Sequence, residues 1–253
     1  MTDAIVLKTA PYSESTLIVW LLTREEGVAR VIAKGARRIK GRNSAALDLM
    51  SHVHVSLRMP ARDGLGILRS VDLKGTWSFL RSDLKRFAFA SVALEILGAV
   101  AGISAHETFF FDEAFTYLQR LESARAPGSL TAALLLRLLH HAGHPPHLGK
   151  DLEENTLTGK MGYDFADGTI RPLPAGTPHG GRWFTLPKPL VGRILPALEK
   201  PPGLDDTFSV PASEGATLLR WLLRIWEDHL NQKIHSAEFL EEVVFKATAR
   251  KKS

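Results

Sequence analysis

Five short runs of β-branched or alternating residues occupy about the first 75 positions, and they constrain the fold more than any other feature. The runs read AIVLKT, STLIVWLLT, GVARVIAKGA, HVHVSLRM and GLGILRSVDL, with turn-forming stretches such as APYSE and PARDG between them. Alternation of this kind is typical of strands with one buried face, and Gly, Pro, Asp and Ser mark the turns. Five such strands in succession predict a small closed barrel.

Beyond Trp77 the sequence takes on the period and length of helices. Three consecutive helical segments lie between residues 77 and 143, and two more lie between residues 213 and 250. Residues 146–185 are rich in Gly, Pro and Thr and show no lasting period, which predicts an irregular insertion. The predicted class is α+β, with a barrel domain over residues 1–77 and a helical domain, containing the insertion, over residues 78–253.

The composition points to a reducing compartment. The chain contains no cysteine, which excludes disulfides, thiolate nucleophiles and cysteine zinc sites. Asp3 stands where a signal peptide has cations, and the longest apolar tract, Phe87–Ile103, is interrupted by Glu95. We therefore expect a cytoplasmic, nucleoid-associated protein with no membrane segment.

The familiar motifs of catalysis do not occur in the sequence. GLGILR lacks the third glycine of a dinucleotide loop, and there is no phosphate loop and no nucleophile elbow. The stretch HETFF has Phe110 where a zinc protease has its second histidine, so His106 and Glu107 are interpreted as a helix N-terminal pair. We expect a protein without enzymatic turnover.

Four histidines fall within eight residues at the end of an apolar helix: His140, His141, His144 and His147. His140 and His144 have the spacing of a helical metal pair, but Gly143 and two prolines end the helix there. Histidines also favour helix C-termini because imidazolium complements the negative end of the helix dipole. No metal site is predicted, although metal binding by the cluster, and with it a remote alternative as a histidine-dependent metallohydrolase, stays open.

The stretch RVIAKGARRIKGR, residues 30–42, holds six cations and no carboxylate. In a strand, Arg30 alternates with Ala29 and Val31, so it is expected to face solvent, and Lys34 extends the same charge. The glycines of the loop would let backbone amides approach a phosphate. A loop of one charge sign predicts contact with a polyanion, in keeping with the formal net charge of +5.

Aromatic side chains suited to base stacking are few in the barrel region. Tyr12, in a turn, is the better candidate, whereas Trp20 lies in the apolar run LIVWLL and is interpreted as a core residue. His52 and His54 alternate with valines and are interpreted as surface residues. This pattern predicts binding that follows the phosphate backbone rather than reading bases.

Three segments carry a resemblance: DAIVLKTAPYSESTLIVWLLTREEGVARVIAKGARR, LLLRLLHHAGHPPHLGK and HLNQKIHSAEFL. They are similar to the N-terminal signature, the middle segment and the closing motif of the RecO family of bacterial recombination mediators. The resemblance implies an oligonucleotide-binding (OB) fold barrel followed by a helical domain. It also implies a non-catalytic protein that binds single- and double-stranded DNA, anneals complementary strands and, with RecR and the single-strand-binding protein, helps load RecA.

The chain departs from the family pattern in one place. Many members carry paired cysteines that form a small zinc-binding element, and those positions fall near Asp151, Glu154, Arg171 and Pro174, none of which is cysteine. We therefore expect no cofactor. The insertion is expected to keep its shape through packing of its aromatic residues: Tyr163, Phe165, Trp183 and Phe184.

The resemblance places DNA contact in the matched KGARR, at Lys34, Arg37 and Arg38. Charge alone adds Arg30, Lys40 and Arg42, and Lys8 and Tyr12 complete the candidate DNA-binding residues. The family's recognition of the acidic tail of the single-strand-binding protein asks for cations beside an apolar groove, for which Arg120 and Arg137 are candidates. An alternative stays open, an adaptor whose basic barrel docks an acidic protein partner and touches DNA only incidentally.

Overall fold

The structure is a computed structural model. It describes residues 1–36, 46–60, 64–77, 80, 82–104, 108–149, 160–174, 176, 181–205 and 207–246. The chain forms two compact units, Met1–Ser123 and Ala124–Ser253. The domain boundary predicted after residue 77 follows the end of the barrel, whereas this division places the next two helices in the barrel's unit.

The first unit begins with a closed five-stranded barrel, which confirms the prediction. Its strands are β1 (Thr2–Pro11), β2 (Leu17–Thr23), β3 (Gly27–Ala33), β4 (His52–Arg58) and β5 (Gly66–Gly75). They run β1-β2-β3-β5-β4 around the barrel, and only the β3–β5 pairing is parallel. This closed arrangement is that of an OB-fold.

Alternate residues of the strands fill the barrel. The buried interior is formed mainly by small and β-branched side chains, including Ala4, Val6, Val19, Leu21, Ala29, Val31, Val53 and Val55. Closure favours a glycine at position 66, where an added Cβ would lie 3.2 Å from both the backbone oxygen of Arg58 and Val31 Cγ1. The absence of a side chain there lets β5 come close enough to pair with β3.

Two helices, α1 (Leu84–Ile103) and α2 (Thr108–Leu121), pack against the outside of strands β1, β2 and β3. They cover one end of the outer face, where Ile5 and Leu22 pair across β1 and β2 and are fully buried. They also correct one prediction, since His52 is half-buried rather than exposed. Its ring lies edge-on to Phe115 of α2, with 5.0 Å between ring centroids.

Helix α1 has 20 residues and a mean hydropathy of 1.7 in its most apolar window, so by length and composition alone it could cross a membrane. Its start is fixed by Asp83, whose side chain accepts hydrogen bonds from the backbone amides of Lys85 and Arg86. Ten of its residues, among them Ile96 and Leu97, are buried. This is the pattern of a helix that packs against the barrel core.

The second unit contains helices α3 (Pro127–His141), α4 (Lys188–Glu199), α5 (Ala212–Leu230) and α6 (Ser236–Leu240), the last followed by a π-helical turn over Glu241–Lys246. Trp221 and Trp226 of α5 are fully buried. The indole Nε1 of Trp226 donates to the carbonyl of Leu135, 3.3 Å away, which fixes α5 against α3.

The structure differs from the prediction of an irregular insertion. Between residues 146 and 186 the described residues form a four-stranded sheet in the order β6-β8-β7-β9. Its strands are β6 (His147–Leu148), β7 (Met161–Asp164), β8 (Thr169–Pro172) and β9 (Trp183–Leu186). Strands of four residues or fewer, interrupted by Gly, Asp and Pro, are too short to produce a readable alternation.

Candidate nucleic-acid interface

One row of side chains crosses the outer face of the barrel from β1 to β3. Lys8 lies opposite Trp20, and Trp20 lies opposite Arg30. Lys8 and Arg30 are exposed and Trp20 is half-buried. The Lys8 ammonium lies 5.3 Å from the centroid of the Trp20 ring, within the range of a cation–π contact.

The position of Trp20 corrects its assignment to the core. Val19 and Leu21 on either side of it point into the barrel and are fully buried, so Trp20 must point outward. The run LIVWLL is apolar on both faces because the helices cover the outer face around Leu22 and leave it open around Trp20. Sequence reasoning therefore missed the aromatic residue at the centre of the face.

A β-bulge brings Lys8 onto this face. Val6 pairs with Leu21 and Lys8 pairs with Trp20, so Leu7 is an extra residue in β1. Regular alternation from the buried Val6 would have turned Lys8 into the barrel. Leu7 instead packs on α1, where a Cβ added at Gly98 would lie 2.8 Å from Leu7 Cδ1. The contact between helix and bulge thus sets the direction of Lys8.

A second row, next to the first, is mostly apolar. It runs from Ala10 to Ile18, Ile32, Ile67 and Arg58 through successive pairs of β1, β2, β3, β5 and β4. Ile18 and Ile32 are half-buried, and Ile67 is 40% exposed. Together, the two rows form an open face with cations along one side and aliphatic side chains along the other, which we call the barrel face.

The basic stretch leaves the barrel at the end of β3. Arg30 and Lys34 are both exposed, which confirms the predicted direction of Arg30. Gly35 has φ +72°, a left-handed conformation that turns the chain away from the strand, and apart from its chain neighbours no other described residue comes within 4 Å of its Cβ position. Among the described residues no carboxylate pairs with Arg30 or Lys34, whereas Arg24, in the turn between β2 and β3, pairs with Asp112 at 3.1 Å.

Four candidates, Arg37, Arg38, Lys40 and Arg42, lie outside the described residues. Tyr12 is described and is 61% exposed at the turn between β1 and β2, where its amide donates to Thr16 O at 3.0 Å. DNA contact by all of these residues stays a prediction.

The two candidate partner-binding cations belong to different compact units. Arg120 is exposed at the end of α2. Arg137 of α3 is half-buried, and its guanidinium donates to the carbonyl of Pro202 at 3.1 Å. The structure therefore gives no support for one groove that contains both cations, and their role in partner binding stays a prediction.

The histidine cluster is spread over several local contacts. His140 Nε2 lies 2.9 Å from the carbonyl oxygen of Ala197, and His147 opens β6. The ring of His144 packs against that of His229, with centroids 4.7 Å apart, and burial, followed by the charge of His144, lowers the pKa of His229. Within the described parts of the chain, no group of three or more possible ligands is placed to hold a metal.

The small sheet is organised around a buried carboxylate that sequence reasoning missed. Asp164 is fully buried and accepts two hydrogen bonds from Arg182, at 2.6 and 2.5 Å, and one from the amide of Ala166 at 3.0 Å. The bond from Arg182 holds the pKa of Asp164 below its usual range. Arg171, near a family cysteine position, lies 3.7 Å from Asp164 and also pairs with Asp167.

Aromatic packing in this sheet follows part of the expectation. Tyr163 meets Phe165 and Trp221 edge-on, with centroids 4.9 and 5.4 Å away, and burial raises the pKa of Tyr163 to about 12. The guanidinium groups of Arg171 and Arg182 lie 6.0 and 5.8 Å from the centroid of the Trp183 ring. Ionic and aromatic contacts therefore act together in this sheet.

Comparison with known proteins agrees with this architecture. Residues 1–77 match the family described as Recombination protein O N terminal. The DNA repair protein RecO of Pelobacter propionicus is 28% identical over 95% of this chain and 96% of its own length. The chain is therefore similar to RecO proteins over nearly its whole length, and its barrel matches their N-terminal family.

Other RecO relatives align over a shorter region. The DNA repair proteins RecO of Exiguobacterium sibiricum and Symbiobacterium thermophilum are 32% and 35% identical over 58% of this chain, and the chain spans only 58% and 57% of their lengths. The region matched by the RecO family model ends just after β5, so it contains the whole barrel face.

Proposed function

We propose that this chain is a non-catalytic DNA-binding mediator of recombinational repair. It binds single- and double-stranded DNA, anneals complementary strands and, with RecR, helps load RecA onto DNA coated by the single-strand-binding protein. The proposal is supported by similarity to RecO proteins, which are named DNA repair proteins.

The observation that carries it is the positive charge of the barrel face, which no carboxylate among residues 1–36, 46–60 and 64–77 neutralises in an ion pair. Lys8 and Arg30 flank Trp20 on rigid strands, and Lys34 continues the charge where β3 ends. Cations held apart from carboxylates are available to displace the counterions of a phosphate backbone, which is the main source of sequence-independent DNA affinity. A rigid strand surface also lowers the entropic cost of binding.

Annealing requires that two bound strands be brought together without chemistry. A surface that neutralises phosphates reduces the repulsion between complementary strands and leaves pairing to the bases themselves. For this reason we propose no catalytic residue and no cofactor. In the small sheet, the Asp164 contacts take the structural role that zinc has in other members.

A strand-annealing assay tests the proposal. Two complementary oligonucleotides, one with a fluorophore and one with a quencher, are coated with single-strand-binding protein and mixed with the chain in the absence of nucleotide triphosphate. We expect the chain to accelerate quenching. Lys34→Glu with Arg38→Glu should remove the acceleration and weaken binding to every oligonucleotide alike, while RecR is still retained in a pull-down.

A matched control changes the net charge equally at another place. Lys200 and Lys233 are exposed cations of the second unit, and Lys200→Glu with Lys233→Glu should leave annealing unchanged. The adaptor alternative predicts the reverse for the barrel variant, with loss of a protein partner and intact DNA binding. That result would overturn the mediator proposal.

The same preparations test the partner assignment. We propose that Arg120 or Arg137 contacts the acidic tail of the single-strand-binding protein. Because the guanidinium of Arg137 already donates to the carbonyl of Pro202, only Arg120 offers a fully exposed charge. Binding of a tail peptide that is insensitive to Arg120→Glu would refute the role of Arg120.

A further inference from the structure

We propose that the barrel face is selective for unpaired bases. A base stacks on Trp20, and the neighbouring row of Ile18, Ile32 and Ile67, called the isoleucine row, provides an apolar surface beside it. The proposal rests on the DNA-binding function above and specifies its substrate as single-stranded DNA with accessible bases. It differs from the expectation that the backbone alone is followed, because the structure places an indole outside the barrel.

The position of Trp20 favours this role. It stands on the central strand of three, with Lys8 and Arg30 directly across on either side. Neighbouring strands are about 5 Å apart, so the Cα atoms of Lys8 and Arg30 are separated by roughly 10 Å, with that of Trp20 midway. A strand that runs across the face can therefore place phosphates at both cations and a base against the ring.

The isoleucine row supplies the second argument. Ile18, Ile32 and Ile67 form a continuous aliphatic line beside the cations, and Ile67 is 40% exposed. Aliphatic side chains gain from contact with the apolar faces of bases and gain nothing from phosphates. A duplex keeps its base faces stacked inside and presents phosphates outward, so only an unpaired strand can use both rows.

The Lys8 ammonium occupies the ring surface that a base would take in the complex. In the structure its ammonium lies over the Trp20 ring, 5.3 Å from the centroid. When a strand binds, the ammonium moves to a phosphate and a base takes its place on the ring. Lys8 therefore contributes to every nucleic acid that carries phosphates, whereas Trp20 contributes only where there is a base to stack.

Fluorescence anisotropy with three labelled probes of equal length separates these roles. The probes are a single strand, an abasic single strand with the same phosphates, and a duplex. We expect Trp20→Ala to weaken binding to the normal single strand by about 5- to 150-fold, the range given by loss of one stacked base. Its affinity for the abasic strand and the duplex should stay within error of the native chain.

Three further variants complete the experiment. Trp20→Phe keeps a ring and should retain most of the affinity for the single strand. Lys8→Gln should weaken all three probes and lower the log–log salt slope by about 0.7 on the single strands. Leu73→Ala removes another exposed apolar side chain of the barrel, 45% exposed, and should change nothing. Thermal unfolding shows whether each variant is folded.

The outcomes distinguish the two proposals. Loss confined to the base-bearing single strand supports base stacking by Trp20. An equal loss on all three probes, or no loss on any, overturns this inference while DNA binding itself stands. If the native chain binds none of the probes, the proposed function fails and the inference fails with it.

Discussion

The packing of Leu7 on helix α1 leads to a quantitative prediction about Gly98→Ala. Alanine at an exposed helix interior stabilises by about 1 kcal/mol relative to glycine. Here the new Cβ would lie 2.8 Å from Leu7 Cδ1, closer than such atoms approach in folded proteins. Overpacking of this kind costs about 1–3 kcal/mol. The net change in the free energy of unfolding should therefore lie between about zero and a loss of 2 kcal/mol.

Removal of the Leu7 side chain should reverse the sign of the effect of Gly98→Ala on the free energy of unfolding. In the Leu7→Ala background, the Cβ at position 98 has no close neighbour from Leu7, and Gly98→Ala should stabilise by about 1 kcal/mol. The coupling energy of the double-mutant cycle is then about 1–3 kcal/mol. Urea unfolding followed by circular dichroism measures the four free energies.

Gly102 provides the control on the same helix. Apart from its own helix backbone, no part of the chain that the structure describes comes within 4 Å of its Cβ position, so Gly102→Ala should stabilise equally in both backgrounds. If Gly98→Ala also stabilised the native chain by as much as it stabilises Leu7→Ala, Leu7 would not lie against α1. The account of how the bulge directs Lys8 would then be refuted.

Three further predictions concern individual side chains. Burial lowers the pKa of His52, so between the folded pKa and pH 6.5 the unfolded chain binds more protons than the folded chain. The contribution of the neutral imidazole to stability should be fully present above pH 6.5 and should be lost as the pH falls towards the folded pKa. His52→Gln should flatten this part of a plot of urea midpoint against pH. Asp164→Asn should lower the Tm more than Asp167→Asn, because of the two carboxylates only that of Asp164 is fully buried. A chelator should leave the Tm of the native chain unchanged. Equal losses of Tm for the two variants would contradict the account. Gly66→Ala should destabilise by about 1–3 kcal/mol in urea, since its Cβ would lie 3.2 Å from the backbone oxygen of Arg58 and from the buried Val31, and an unchanged midpoint would show that the closure has room.

Much of the barrel could be predicted from local pattern. The alternation in GVARVIAKGA placed Arg30 outward, and the glycine after Lys34 marked the point where the chain turns away. These features depend on neighbours along one strand, and the period of two is enough to specify them. The RecO resemblance added the order of domains.

The remaining features depend on contacts between distant parts of the chain. The helices cover one end of the outer face, so strand β2 carries apolar residues on both of its faces. In the sequence, Trp20 therefore has the pattern of a core residue although it lies outside the barrel. His52 is half-buried against Phe115, more than sixty residues later, and His144, after the end of α3, meets His229 of α5. The bulge at Leu7 leaves no mark in the run AIVLKT, since it is defined by pairing with β2.

The central claim is that the basic stretch after β3 is a phosphate-binding surface. It is tested most directly by anisotropy of a labelled 30-nucleotide single strand across a salt series, for the native chain and for Lys34→Glu/Arg37→Glu/Arg38→Glu. If the six cations act as proposed, the native log–log slope is about −4 to −5. The folded triple variant should then lose affinity, and its slope should become shallower by at least about 2. Equal binding by both proteins, or no binding by the native chain at physiological salt, would contradict the claim.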